Sequence, residues 1–451
     1  MGKNLTRYVC QTCAYESPRW VGKCPNCGTW NSLVEELATK AATRRRTGGH
    51  AIAAVPLGDV DIARDHRIVS RLAEFDRVLG GGIVAGSVIL LGGDPGIGKS
   101  TLMMQLAAAL DGLCVLYVSG EESSRQIKLR AERLGVRSTG TFLVLAETNI
   151  DLLSEFIDRS PPGVIIVDSI QTMVRPELEA PAGSVSQVRE TASFFTKIAK
   201  EKSIPVFLIG HVTKEGAIAG PKAIEHMVDA VLQFEGEQNH AYRILRAMKN
   251  RFGSTNEIGV FEMREHGLRE VANPSEVFLS QRSAGVSGSM VAASIEGTRP
   301  ILIEVQALVT ATSYGVPQRN TTGFDSRRLG LLIAVLEKRL GMSFGQQDVF
   351  VNIAGGLRID EPAVDLAIAL SIISSLRDLP LGSDTVAIGE IGLGGEVRAV
   401  SQVEKRIQEA AKLGFRRIIL PSQNLKGLQQ PESALLTGVG SIEDAIGSLF
   451  S

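Results

Sequence analysis

Apolar and polar positions form two long stretches of alternating strand-like and helix-like pattern. In the first, the apolar run Ser87–Gly93 enters a glycine-rich turn, and the helix-compatible stretch Thr101–Leu110 follows. Strand signals then recur at Cys114–Ser119, Phe142–Leu145, Val164–Val167 and Pro205–Gly210. Helix signals fall between them at Ser124–Leu134, Ile150–Arg159 and Val185–Glu201. Three later runs, Ala230–Phe234, Tyr242–Met248 and Gly259–Met263, are short, strand-like and suited to hairpins. This alternation predicts an α/β fold with a mostly parallel sheet and ligands at the carboxyl ends of its strands.

Near Pro274 the character changes. Ser and Gly increase over Ser280–Ser289, and a second α/β pattern starts at the strand Ile301–Thr310. It continues through helix Asp325–Leu340, strand Val349–Asn352, helix Ala363–Leu376 and strand Thr385–Ile388. A Gly-rich turn through Gly395, helix Val403–Leu413 and strand Ile418–Leu420 close the series.

Composition narrows the classes. The chain has 451 residues, long enough for two to four domains, and Lys+Arg total 48 against 49 Asp+Glu. That balance excludes a strongly basic nucleic-acid protein and an acidic disordered chain, so any nucleic-acid contact must come from local patches. The longest mostly apolar stretch, Ala363–Leu376, contains Asp365 and is too short to span a bilayer. With no apolar segment behind the first charges, the expectation is a cytoplasmic protein without a membrane partner.

Cys10, Cys13, Cys24 and Cys27 form two CxxC pairs. In a reducing compartment such pairs read as ligands of one structural zinc ion, since four protein ligands leave no open position. Trp20 and Trp30 flank the second pair and are expected to pack over this small core. Cys114, in an apolar run, reads as a buried strand residue. Residues 38–60, with the basic run Arg44–Arg46, read as a linker. The expected domains are a zinc finger over 1–37, that linker, a P-loop core over 61–273 and a second α/β domain over 274–451.

The segment Gly93-Asp94-Pro95-Gly96-Ile97-Gly98-Lys99-Ser100 matches GxxxxGK[ST] in full, with Thr101 next, and it lies between a strand and a helix. Glycines let backbone N–H groups wrap phosphates at a helix N-terminus. Lys99 would reach the β- and γ-phosphates of ATP and the Ser100 hydroxyl would ligate Mg²⁺. Asp168, ending an apolar strand, would hold the same metal directly or through water. Glu121 and Glu122 follow the strand taken to lie next to the P-loop strand. A carboxylate there could deprotonate the attacking water, or both could simply be acids favoured at a helix N-terminus.

Taken together, the two CxxC pairs, GDPGIGKST (93–101), YVSGEES (117–123), the Asp168 strand and KNRFG (249–253) resemble the bacterial RadA/Sms family of RecA-like ATPases in recombinational DNA repair. The resemblance implies that Glu121 is the catalytic carboxylate and that Arg251, with Lys249, acts in the ATP cycle. Without it, KNRFG reads as a basic turn on a solvated edge. It also implies that His211 senses the γ-phosphate, where the residue alone reads as a polar strand end. Loops 171–184, with Arg175, and 212–222, with Lys214 and Lys222, would face the centre of a ring. They lack aromatic residues, which predicts contact with the DNA backbone and little base specificity. The implied partners are single-stranded and branched DNA, further copies in a ring (a hexamer), a recombinase of the RecA type, and a replicative helicase or other repair factors.

The C-terminal pattern resembles the proteolytic domain of Lon proteases. Where those enzymes carry a serine–lysine dyad, this chain has Ala363 and Glu404, with Lys405 one residue away and about 100° round a helix. A scaffold for assembly and DNA contact is expected instead, drawing on some of Arg327, Arg328, Lys338, Arg339, Arg398, Lys405 and Arg406. The rivals are an ATP-dependent Ser-Lys protease and a DNA-binding protein that uses ATP as a switch.

Overall fold

The computed structural model describes residues 5–11, 15–38, 56, 67–136, 140–210, 222–236, 241–280, 282, 285–312 and 315–450. The chain divides into two units, Met1–Glu270 and Val271–Ser451. Among the described residues no helix is long and apolar enough to cross a membrane.

The first unit opens with a three-stranded antiparallel sheet of β1 (Leu5–Cys10), β2 (Glu16–Ser17) and β3 (Leu33–Ala38), in the order β2-β1-β3. Its core is Cys10, Cys24 and Leu33, with Tyr8 and Val21 against them. Trp20 and Trp30 are 53% and 68% exposed, which corrects the expectation that they cover this core. So small a module buries Cys10 and Cys24 but leaves Cys27 exposed, and Trp30 serves as a surface against the Lys23 ammonium, 5.6 Å from the ring centroid.

The larger sheet follows. After α1 (Ala73–Val78) come β4 (Val88–Gly93), α2 (Lys99–Ala109), β5 (Val115–Ser119), α3 (Ser124–Arg133), β6 (Phe142–Ala146) and α4 (Ile150–Arg159). Then β7 (Val164–Asp168), α5 (Val185–Lys202), β8 (Val206–Ile209) and α6 (Lys222–Met227) lead to β9 (Ala230–Glu235), β10 (Tyr242–Asn250), β11 (Ile258–Arg264) and β12 (Gly267–Glu270). The nine strands lie in the order β12-β11-β10-β9-β4-β8-β7-β5-β6. Strands β9 through β6 are parallel, and β10 to β12 extend the sheet as antiparallel hairpins. This order corrects one expectation: β8 and β7 separate the Glu121 strand, β5, from the P-loop strand.

Burial explains the continuous apolar runs. Ile89 and Leu91 of β4 face one core with α1 and α2, while Val88 and Leu90 face a second with α4 and α5. A parallel strand covered on both faces has no polar side to show, so its pattern does not alternate. Cys114 is half-buried and immediately precedes β5.

The second unit comprises α7 (Pro274–Leu279), β13 (Ser289–Glu296), β14 (Arg299–Ala311), β15 (Arg319–Thr322), α8 (Ser326–Leu340), β16 (Gln347–Ile353) and α9 (Asp365–Arg377). It continues through β17 (Thr385–Ala387), β18 (Glu390–Ile391), β19 (Val397–Arg398), α10 (Val403–Lys412), β20 (Arg417–Pro421), β21 (Leu435–Val439) and α11 (Ile442–Phe450). Its main sheet runs β15-β16-β14-β13-β17-β20-β21. Strand β13, which the sequence pattern does not announce, is central and pairs with β14 along its whole length.

Candidate nucleotide site and zinc centre

The phosphate loop turns on three glycines in backbone conformations that L side chains rarely adopt. Gly93, Gly96 and Gly98 have φ of 151°, 78° and 115°. A Cβ on Gly93 would lie 2.5 Å from the Phe234 carbonyl oxygen, and one on Gly98 would lie 2.7 Å from Met263 Cε. The loop delivers the chain into α2, whose first turn holds Lys99, Ser100 and Thr101 and no acidic residue. Its free N–H groups and positive dipole end are therefore uncompensated by the helix itself. Lys99 is 4% exposed, and its ammonium donates to the carbonyls of Gly93 (2.7 Å) and Asp94 (2.9 Å). Burial lowers its pKa, while the charges of Asp168, Asp94 and Glu121 push it back up.

Parallel register places Ser119 beside Asp168, so the ends of β5 and β7 share one rim. The Tyr117 hydroxyl donates to Asp168 Oδ2 at 2.5 Å, and Arg130 Nη1 lies 3.9 Å from the same oxygen. Burial first, then the Asp168 charge, pushes the Tyr117 pKa well up, so the phenol stays a donor. The two glutamates that follow β5 are sorted by their partners. Glu122 is ion-paired to Arg130, whereas Glu121 Oε1 accepts from the Ser169 hydroxyl at 2.7 Å beside Asp168. Sequence reasoning missed Arg130 and Ser169 and used Tyr117 only as part of a motif. Arg130 lies 38 residues before Asp168 and carries no local signal.

The KNRFG turn lies elsewhere. Its strand, β10, runs antiparallel to β9, which is parallel to β4, so Arg251 sits at the end of the sheet where β4 begins. There Arg251 Nη1 is 3.3 Å from Asp229 Oδ1, and the buried Asp229 also accepts from the Val88 N–H at 3.0 Å. The five steps from Val88 to Gly93 span about 16 Å, beyond the reach of an arginine side chain. Lys249 Nζ donates to the carbonyls of Glu225 (2.6 Å) and Val228 (2.8 Å) at the end of α6. Lys99, Asp168 and Glu121 thus share one rim, and Lys249 and Arg251 occupy the opposite one.

Of the residues read as DNA contacts, Arg175 is 16% exposed in its side chain and is ion-paired to Glu190, with Asp151 at 3.6 Å and Glu177 at 3.8 Å. His211 and Lys214 lie outside the described residues, and Lys222 starts α6. In the second unit two of the seven suggested basic residues are committed to carboxylates, one of them buried and the other, Arg328, partly exposed. Arg406 is fully buried against Glu361, and Arg328 is paired to the fully buried Asp365, which removes both from the set of free surface charges.

Cys13 lies outside the described residues. The sulfurs of Cys10, Cys24 and Cys27 lie within 4.8 Å of one another, and those of Cys10 and Cys27 are 3.7 Å apart. Tetrahedral zinc with about 2.3 Å bonds requires sulfur–sulfur edges of about 3.8 Å, so the three thiolates fit that ion.

Residues 56–217 match the AAA domain family, residues 8–35 the rubredoxin metal binding domain, and residues 314–424 the ChlI subunit of Mg-chelatase. The chain is 54% identical to DNA repair protein RadA of Bacillus subtilis (strain 168), over 99% of both chains. It is 55% identical to DNA repair protein RadA of Halalkalibacterium halodurans over 99% of both, and 52% identical to that of Listeria monocytogenes over 98% of both. Among solved structures, the RadB recombinase is 22% identical with a TM-score of 0.37, covering 45% of this chain and 99% of that one. These relatives match this chain across its zinc ribbon, its P-loop core and its second α/β unit, and the chain belongs to the RadA family of DNA repair proteins.

Proposed function

We propose that the chain is a DNA-dependent ATPase of recombinational repair. It assembles as a ring, a hexamer by family resemblance, moves on single-stranded or branched DNA, and promotes branch migration with a RecA-type recombinase or other repair factors as partners. The backbone N–H groups of residues 93–101 and the Lys99 ammonium hold the ATP phosphates. Ser100 and Asp168 hold Mg²⁺, which neutralises charge on the phosphates. Glu121 takes the proton of the attacking water, and Ser169 keeps its carboxylate turned to the rim shared with Asp168. His211 follows β8 and senses the γ-phosphate. Loops 171–184 and 212–222 meet the DNA backbone through Lys214 and Lys222, and Arg175 joins them only on leaving its carboxylates.

One observation carries the ring: Arg251 sits at the end of the sheet remote from its own P-loop. If Arg251 acts on a γ-phosphoryl group, that group belongs to a neighbour. A planar, always-charged guanidinium suits the charge that develops there, and fingers of this kind accelerate turnover by about 10³–10⁵. Arg251→Ala should bind ATP yet hydrolyse it very slowly, whereas Lys99→Ala should lose binding. Mixing the two inactive proteins should restore activity wherever an intact P-loop meets a neighbour's intact Arg251. Mixed rings that form and stay inactive would refute the shared site.

A further inference from the structure

The helix that follows the first of these loops ends on the carboxylate that holds Arg251. Gln187, 1% exposed in the first turn of α5, binds the loop over that turn through the backbone. Its amide donates to the carbonyls of Arg175 (3.2 Å), Leu178 (3.2 Å) and Ala180 (3.0 Å), and its Oε1 accepts from the Arg175 N–H at 2.8 Å. The whole helix, 18 residues and about 27 Å long, runs from that loop to the other end of the sheet. In its last turn Lys200 donates to Asp229 Oδ2 at 2.7 Å. The other oxygen of that carboxylate faces Arg251, and the Val88 N–H fixes the carboxylate to the first residue of the P-loop strand. The cluster borders a groove of about 470 Å³ lined in part by Arg67, Lys200 and Phe252.

From this geometry we infer that Lys200 and Asp229 are positioning residues for Arg251, and that the Lys200–Asp229–Arg251 chain makes the finger respond to what occupies loop 171–184. The inference rests on the trans-finger reading above and adds its regulation. A loop displaced by DNA moves a rigid helix whose N-terminal turn it shares. That helix then shifts Lys200 against a carboxylate with only two oxygens, one of which orients the guanidinium. Asp229 is 3% exposed, so its charge has no solvent to substitute for a lost partner, and the Arg251 geometry must follow. Lys249 ties the same turn to the end of α6, so the turn is held from two helices.

The test uses the full-length protein. Lys200 is half-exposed, so Lys200→Met should fold and bind ATP and a labelled oligonucleotide as the wild type does, while its basal turnover falls only modestly, well short of the loss in Arg251→Ala. It should lose the increment that single-stranded DNA adds to turnover, by roughly fivefold, and Lys200→Arg should restore that increment. Asp229→Asn, which keeps an acceptor for Val88, should lower basal and stimulated turnover together while ATP affinity holds. Full DNA stimulation in Lys200→Met would overturn the inference, as would basal turnover as low as that of Arg251→Ala. A wild-type protein that DNA does not stimulate, or an Arg251→Ala protein of full activity, would instead refute the proposed function itself.

Discussion

Both α/β units bury ionised groups, and they use them in opposite ways. In the first unit the contacts of the buried Asp168 with Tyr117 and Arg130 gather on one oxygen, Oδ2, and the exposed Glu121 accepts from the Ser169 hydroxyl beside it. In the second unit Arg406 is enclosed by Glu361 and the carbonyls of Ala293 and Ser401. Asp365 is likewise enclosed by Arg328 and the Ile391 N–H. Charges that a protein leaves partly unanswered can answer a ligand. Charges that it encloses among partners hold a fold in one arrangement at a desolvation cost, and burial raises the Asp365 pKa against the pull of Arg328 and the Ile391 N–H.

The largest expected effect lies on the open side. Glu121→Gln keeps the shape of the side chain and removes its basicity, so ATP turnover should fall by about 10²–10⁴ while ATP binding stays intact. Glu122→Gln should cost less than about tenfold, because the Glu122 carboxylate is engaged by Arg130. Single-turnover hydrolysis beside fluorescent-nucleotide binding distinguishes the two. Equal losses would mean that the partners of the two glutamates do not sort their roles.

On the closed side the expected effect is on stability alone. Glu361→Gln strands a fully buried guanidinium and should destabilise the second unit by about 3–5 kcal/mol. Replacing both partners by apolar residues, Glu361→Leu with Arg406→Met, should recover most of that loss. Urea unfolding of the full chain reads both variants, and nucleotide binding should not change in either.

These contrasts were unequally legible in the sequence. Helix α4 was read to the residue, because Asn149 caps it through Asp151 N–H and its apolar positions repeat on one face. The P-loop was legible for the same reason: its glycines, lysine and flanking elements are all local. Strand β13 was missed because SMVAASIE is rich in Ala and Ser, and only pairing with β14 and β17 makes it a strand. The grip of Tyr117 and Arg130 on Asp168 was equally invisible, since strand order and register bring together residues 51 and 38 positions apart. The tryptophans misled because apolar size suggests a core, and a thirty-residue ribbon has almost none beyond its ligands.

A smaller effect probes how open the Asp168 site is. Tyr117→Phe removes the 2.5 Å hydrogen bond to Oδ2 with little change in shape. A hydrogen bond to a charged group contributes about 1.5–3 kcal/mol, and the share that orients Asp168 should appear as a roughly tenfold higher Mg²⁺ requirement. Titrating Mg²⁺ against turnover and against nucleotide binding measures it. An unchanged requirement would mean that Asp168 needs no help to face the metal.

The smallest expected effect is none at all, and it is the most direct challenge to the closed reading of the second unit. Ala363 occupies the position that the Lon resemblance gives to a nucleophile, and Ala363→Ser supplies the missing hydroxyl. That hydroxyl would enter a site 3% exposed, on a one-turn segment whose carbonyl already accepts from the Gly389 N–H at 2.8 Å. Activation of a serine needs a base within hydrogen-bond reach. The matching position holds Glu404, whose side chain is exposed in the first turn of α10. Lys405 beside it donates outward to the Thr298 carbonyl at 3.3 Å, and the nearest buried cation on that helix, Arg406, is committed to Glu361 and cannot deprotonate anything. A fluorogenic peptide panel, with and without ATP, should therefore show no hydrolysis by Ala363→Ser above the wild-type background. Turnover in that single variant would mean that a base stands near residue 363 which this arrangement does not supply, and the division between an open and a closed unit would fail at its sharpest point.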